Sequence, residues 1–275
     1  MTAIRELFSY SFVIYALLGG VGIALCASLL GVHLVLKRFS MLGDGLSHVA
    51  FGSAAIALAA GVAPLKISIP VVILAAFLLL HVSRNGKIRG DAAIALVSSS
   101  ALAIGVIVAT LTTGMNTDIS SYMFGSILAM SRSDTVIAVS VAVGILLLYV
   151  LFYQKLFATT FDEDFAAAVG VRVEGYRSLL AVLTAVTVVV GMRMMGALLI
   201  SSIITFPALS AMRVCKRYRT VVITAGILSV VAFLIGMAFS LFLDMPAGAS
   251  IVVVNLGLFL ALSAVEFLKK RPNLS

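Results

Sequence analysis

The chain has 275 residues, 62% of them hydrophobic and only 11% charged, where a soluble domain carries about a quarter charged residues. Together with a mean hydropathy of +1.21, this excludes a soluble globular domain and predicts an all-α, polytopic integral membrane protein. The net charge of +8 reads as an orientation signal in basic loops, not as a nucleic-acid-binding face.

In chain order, Arg5 and Glu6 precede the first apolar run and no small-residue cleavage site follows it, so no cleavable leader is expected. Apolar segments near 10–31, 43–62, 66–82 and 92–111 each approach the roughly 20 residues that a spanning helix needs. The stretch YMFGSILAM (122–130) is too short to span and reads as a half-helix or re-entrant segment. A fifth span is expected at 135–152, followed by a polar-containing segment from Tyr153 to Tyr176. Segments 177–191 and 195–212 are so close that one is read as tilted or broken, which makes the count eight or nine. Pro207 is expected to kink the second of them. Segments 220–243 and 250–267 complete the set, within a single transmembrane domain over 1–275. Cys26 and Cys215 are far apart and form no CxxC, so neither a disulfide nor a thiolate metal site is expected.

Alternating the loops across nine spans with the C-terminus in the cytoplasm places 15 of the 19 Lys and Arg inside, leaving Arg5, Lys66, Arg132 and Arg193 outside. The positive-inside rule therefore selects an outside N-terminus and a cytoplasmic C-terminus.

Among eleven acids, Asp44 is read as the only one inside a span, the others falling in loops or at helix ends. GDGLSH (43–48) stacks Asp44 and His48 on one helical face, with Ser47 beside them. Counting about 1.5 Å per residue from Arg38 puts His48 roughly 15 Å into a hydrocarbon layer of about 30 Å, near its middle. Such groups are costly unless paired or facing a wet path. Two readings stand: a hydrogen-bonded packing pair, or a carboxylate and an imidazole facing a conduit for a divalent first-row metal. Two ligands hold an ion weakly, which suits a conduit, and a symmetric dimer would double them. His33 and His81 are expected at the cytoplasmic ends of their helices, as interface residues or at an ion exit. Met192, Met194 and Met195 are read as packing rather than a copper site.

No HExxH, no GxSxG with a His partner and no phosphate loop occurs, so catalysis is not expected and any ATP chemistry belongs to another chain. Leu42-Gly43-Asp44 is similar to the GxGD of intramembrane aspartyl proteases. Position 41 is Met, however, and no second mid-membrane Asp completes a dyad. In FATTFDEDFAAAVGV (157–171), a turn at Thr159-Thr160 precedes Asp162, Glu163 and Asp164. These open a short helix with Phe165, Ala168 and Val169, which Gly170 ends. It is acidic where membrane-surface helices are basic, which favours docking in a groove of a cytoplasmic protein.

Three stretches in order, KRFSMLGDGLSHVAFGSAAIA (37–57), FDEDFAAAVGV (161–171) and GALLISSIITFPALSAMRV (196–214), resemble the permease subunit of metal-ion ABC importers of the zinc/manganese type. The resemblance spans essentially the whole chain. It implies a homodimer in the bacterial cell membrane, two cytoplasmic ATP-binding subunits and an extracytoplasmic metal-binding protein. No cofactor is held permanently, and the divalent metal is cargo. Asp44 and His48 would meet the ion or gate its path, and Phe161 to Val171 would transmit ATP-driven closure. Where many manganese-type members have Pro-Gly after the SHAVL stretch, this chain has Gly52-Ser53, closer to zinc-type members, so zinc is expected ahead of manganese. The other class left open is an ATP-independent transporter or channel. Its usual inverted repeat is missing from the sequence.

Overall fold

The computed structural model describes residues 11–85, 90–112, 125, 130–243 and 245–270. These residues form helices α1 (Ser11–Leu36), α2 (Leu42–Ala59), α3 (Pro64–Asn85), α4 (Gly90–Leu111), α5 (Arg132–Leu151) and α6 (Tyr153–Phe161). The chain continues with α7 (Glu163–Ala168), α8 (Val173–Met195), α9 (Ala197–Val214), α10 (Tyr218–Leu243) and α11 (Ala247–Lys270). No strand occurs among the described residues. All but α6 and α7 are long and apolar enough to cross a membrane, giving nine candidate spans among the described residues. Each coincides with an apolar segment read from the sequence. The half-helix expected near 122–130 lies outside the described residues, apart from Gly125 and Met130.

Helix α1 is the centre of the bundle. It packs on α5, α8, α9 and α10 and buries Ile23, Ala24, Ala27 and Leu30 completely or nearly so. On one flank α2 packs against α3 and α4, and on the other α10 packs against α9 and α11. Helices α2 and α8 are the most buried spans, and α11 faces mostly outward. In a bilayer, association of this kind rests on close packing and polar contacts, because lipid is as apolar as the helices.

The two neighbouring segments are separate, span-length helices, so neither is broken. Between α8 and α9 stands Gly196 with φ 87°, a conformation open to glycine and strained for other residues. Helix α9 runs continuously through the buried Pro207, which cannot donate to the Ile203 carbonyl. Helix α3 likewise contains Pro70.

Three sequence expectations need correction. Thr159 and Thr160 do not form a turn; both lie in α6. Their hydroxyls donate to the carbonyl of Leu156 at 3.1 and 2.7 Å, so the polar side chains are satisfied without leaving the helix. The break comes at Asp162, which is extended. Secondly, Asp44 is not alone within a span, because Asp91, Asp134 and Glu174 lie in the first turns of α4, α5 and α8 as Asp44 does in that of α2. Thirdly, the depth of His48 shrinks. Residues 37–41 form a tight connection, with Phe39 N–H bonded to the Leu34 carbonyl and Arg38 at φ 60°, so they add no helical rise. Counted from Leu42, His48 lies roughly 9 Å along α2, a third of its length.

One end of the bundle gathers Lys37, Thr160, Glu163, Arg177 and Tyr218 through mutual or shared contacts. The opposite end carries an ion pair between Arg193 and Asp134 at 2.8 Å.

Candidate functional site

Asp44 and His48 sit one turn apart on α2, with Nε2 of His48 3.6 Å from Oδ2 of Asp44. That separation is longer than a hydrogen bond, and both side chains remain partly exposed. They line a cavity of about 280 Å³ between α2 and α4, whose wall also includes Met41, Asp91, Ser98 and Ser99. Ser98 donates to the Ile94 carbonyl at 2.7 Å. Two carboxylates and an imidazole thus share one space that, among the described residues, no Lys or Arg lines, a field that favours cations. Asp91 is the residue sequence reasoning passed over. It is exposed at the very start of α4, and only the crossing of α2 and α4 brings it to the pair.

That crossing has a structural cause in glycine. A Cβ on Gly52 would lie 2.5 Å from the Ala101 carbonyl oxygen, and one on Gly45 2.7 Å from Cγ2 of Ile94, so glycines let the two helices approach closely beside the cavity. Gly52 therefore has a packing explanation independent of any metal. Ser47 does not join the pair. It is fully buried, its hydroxyl donates to the Asp44 carbonyl at 2.7 Å, and it does not line the cavity. Among the described residues no three His, Cys, Asp or Glu side chains cluster closely enough to hold a metal within one chain.

The second constellation lies at the basic end. Asp162 caps α7, accepting from the Phe165 N–H at 2.8 Å. Glu163 turns inward, bonded to Nζ of Lys37 at 2.7 Å and to the Arg177 guanidinium. Burial pushes its carboxyl up, but the hydrogen bonds and charges of Arg177 and Lys37 outweigh this and hold it below the usual 4.5. Glu163 thereby ties α7 to the α1–α2 connection and to α8. The outer side of α6 and α7 exposes Phe161, Asp164, Phe165, Ala168 and Val169, and Gly170 ends the segment at φ 83°. Phe161 leans edge-on against Tyr218, with ring centroids 5.6 Å apart.

His33, at the end of α1, is fully buried. The Thr160 hydroxyl donates to Leu156, so it accepts from Nδ1–H of His33 at 2.7 Å. Nε2 then accepts from Tyr218 at 2.8 Å. The Tyr149 hydroxyl lies 3.2 Å from that nitrogen and 3.4 Å from the Tyr218 oxygen. This network joins α1, α5, α6 and α10. It was not legible from the sequence, because the partners lie 116 to 185 residues from His33 along the chain. His81 is elsewhere, lining a cavity of about 460 Å³ with Glu174 and Arg177. Met192, Met194 and Met195 are buried, and both cysteines are free thiols.

Fold and site define a multi-pass α-helical membrane protein with a cation-favouring cavity and a short two-helix projection between its spans. The chain belongs to the ABC 3 transport family, whose model matches residues 9–266. It is 28% identical over 254 residues to the manganese transport system membrane protein MntC of Halalkalibacterium halodurans, covering 92% of this chain and 87% of that protein. It is 29% identical over 244 residues to the high-affinity zinc uptake system membrane protein ZnuB of Haemophilus influenzae, covering 89% and 94%. Among solved structures, a chain of PsaBC from Streptococcus pneumoniae in complex with Fab matches with a TM-score of 0.87 and 29% identity, over 98% of this chain and 100% of that one.

Proposed function

We propose that the chain is the membrane subunit of an ATP-driven importer in the bacterial inner membrane, with zinc or manganese as cargo. The observation that carries this is the α2–α4 cavity, whose wall Asp44, His48 and Asp91 share with no basic side chain among the described residues. Oxygen and nitrogen donors suit both metals. The Gly52-Ser53 feature does not separate them, since packing accounts for Gly52, and the relatives carry both names. One chain offers too few ligands, so a two-fold dimer with paired cavities near its axis supplies the rest. An extracytoplasmic binding protein delivers the ion.

Helices α6 and α7 are the coupling element. Asp162 and Glu163 hold it on the bundle, and Phe161, Phe165 and Val169 present an apolar edge that fits a groove of a separate ATP-binding subunit. Binding and hydrolysis there bias the dimer between outward and inward states, which is alternating access driven from another chain. The basic end is cytoplasmic, as the charge count requires, with the N-terminus outside.

The test is metal uptake into vesicles holding the chain with its ATPase subunit. Asp44→Ala and His48→Ala each lower uptake at least about ten-fold, and Asp91→Asn lowers it less and in a salt-dependent way. Zinc and manganese in competition identify the cargo. Undiminished uptake in the first two variants, or full uptake without the ATPase, contradicts the proposal.

A further inference from the structure

A second cavity, larger than the one between α2 and α4, lies on the other flank of the bundle. A groove of about 550 Å³ runs along α10 with Leu25 and Leu29 of α1 beneath it, and with Tyr149, Val150 and Tyr153 along its other edge. Its sides are apolar over their whole length except at one end, where Arg219 forms the mouth beside Tyr153. Gly226 contributes to the depth: a Cβ there would stand 3.0 Å from Cδ1 of Leu25, so a larger residue would press on the Leu25 side chain in the groove floor. Helix α10 packs mainly on α1, α9 and α11, with Tyr218 at its start touching α5 and α6, and the groove opens on the flank away from Asp44 and His48.

We infer that this groove is a binding site for one anionic phospholipid, with an acyl chain along α10 and the phosphate at Arg219 and Tyr153. Length is the first argument. From Arg219 to Val231 the groove follows twelve residues of helix, roughly 18 Å, against about 15 Å for one leaflet of the hydrocarbon core. A single lipid tail entering from the basic end therefore fills it, whereas a spanning helix from another protein would overrun it. Charge is the second argument. Arg219 at the mouth is exposed, as are its chain neighbours Lys216 and Arg217; among the described residues no carboxylate lines the groove, and Arg213 of this basic run pairs with Glu266 at 3.3 Å. Among the described residues no acidic side chain pairs with Arg219. An arginine at the end of an apolar channel, at headgroup level, offers a planar fork for phosphate oxygens.

The experiment uses the full chain in complex with its ATPase subunit, in vesicles of phosphatidylethanolamine and phosphatidylglycerol. A trace of lipid carrying a photoreactive acyl chain is added, bearing either a phosphatidylglycerol or a phosphatidylcholine headgroup. Labelled peptides are mapped by mass spectrometry. Phosphatidylglycerol is expected to label Ile223 and Ile227 about five-fold more than phosphatidylcholine. Arg219→Gln, a change at an exposed side chain, brings the two to the same level, and Ile227→Trp lowers both by filling the groove. Equal labelling by the two headgroups in the unaltered chain, or an unchanged ratio in Arg219→Gln, overturns the inference. So does a cross-link between two copies of the chain through Ile223→Cys, which would make the groove a protein interface.

Discussion

Glu163 shows how one residue can look like part of a charged patch and act as a tether. In the sequence it is the middle member of an acidic run; in the fold it is held between Lys37 and Arg177. Its folded carboxyl lies below its ordinary value, so the ionised form is favoured by folding. The stabilisation is present above pH 4.5 and is lost as pH falls through the lowered folded value. Glu163→Gln is therefore expected to melt earlier than the parent chain at pH 7. The gap should close in acid below pH 4.5, as followed by thermal denaturation of the detergent-solubilised protein. A gap that persists in acid would mean that Glu163 acts through shape and not charge. Asp44 and His48 were legible as a pair because helical spacing of four is a sequence property. Asp91 was not, since its place beside them depends on the angle at which α4 crosses α2.

At the scale of elements, α6 and α7 divide their labour by face. Ala166 is buried and Glu163 is tied inward, while Phe161, Phe165 and Val169 stand exposed. Large apolar side chains on a short polar-flanked helix are contact anchors. Phe165→Ala is expected to weaken co-purification of the ATP-binding subunit about ten-fold while leaving the melting temperature of the isolated chain within error. Loss of fold in that variant would mark Phe165 as a structural residue instead. The His33 network anchors the inner side of the same element. His33→Leu leaves the Tyr149, Tyr218 and Thr160 hydroxyls short of a buried partner, at a cost of about 1–3 kcal/mol. Thermal denaturation should register this, and ATP hydrolysed per metal imported should rise as the coupling element loosens. An unchanged ratio would confine the network to a structural role. The helical identity of 163–168 was readable from capping residues. The extent of α6 was not, because Thr159 and Thr160 carry turn-like composition and satisfy their hydroxyls within the helix.

For the whole molecule, the span count and the alternation of the bundle were readable because both follow from hydrophobic length and charge. The contacts agree: Lys37, Glu163 and Tyr218 gather at one end, Arg193 and Asp134 at the other. Depth was misjudged for a physical reason, since a tight connection at 37–41 consumes residues without adding helical rise. The corrected position puts Asp44 and His48 in the third of α2 nearest the end where Glu163 of α7 pairs with Lys37, the end at which the proposal places the ATPase. The small, open cavity and the incomplete ligand set both fit an ion that pauses and leaves. The most direct test is zinc K-edge X-ray absorption on the nucleotide-free complex loaded with zinc. The expected spectrum shows nitrogen and oxygen donors near 2.0–2.1 Å with imidazole scattering, and that scattering disappears in His48→Ala. An identical spectrum from parent, Asp44→Ala and His48→Ala would contradict a metal path through this cavity.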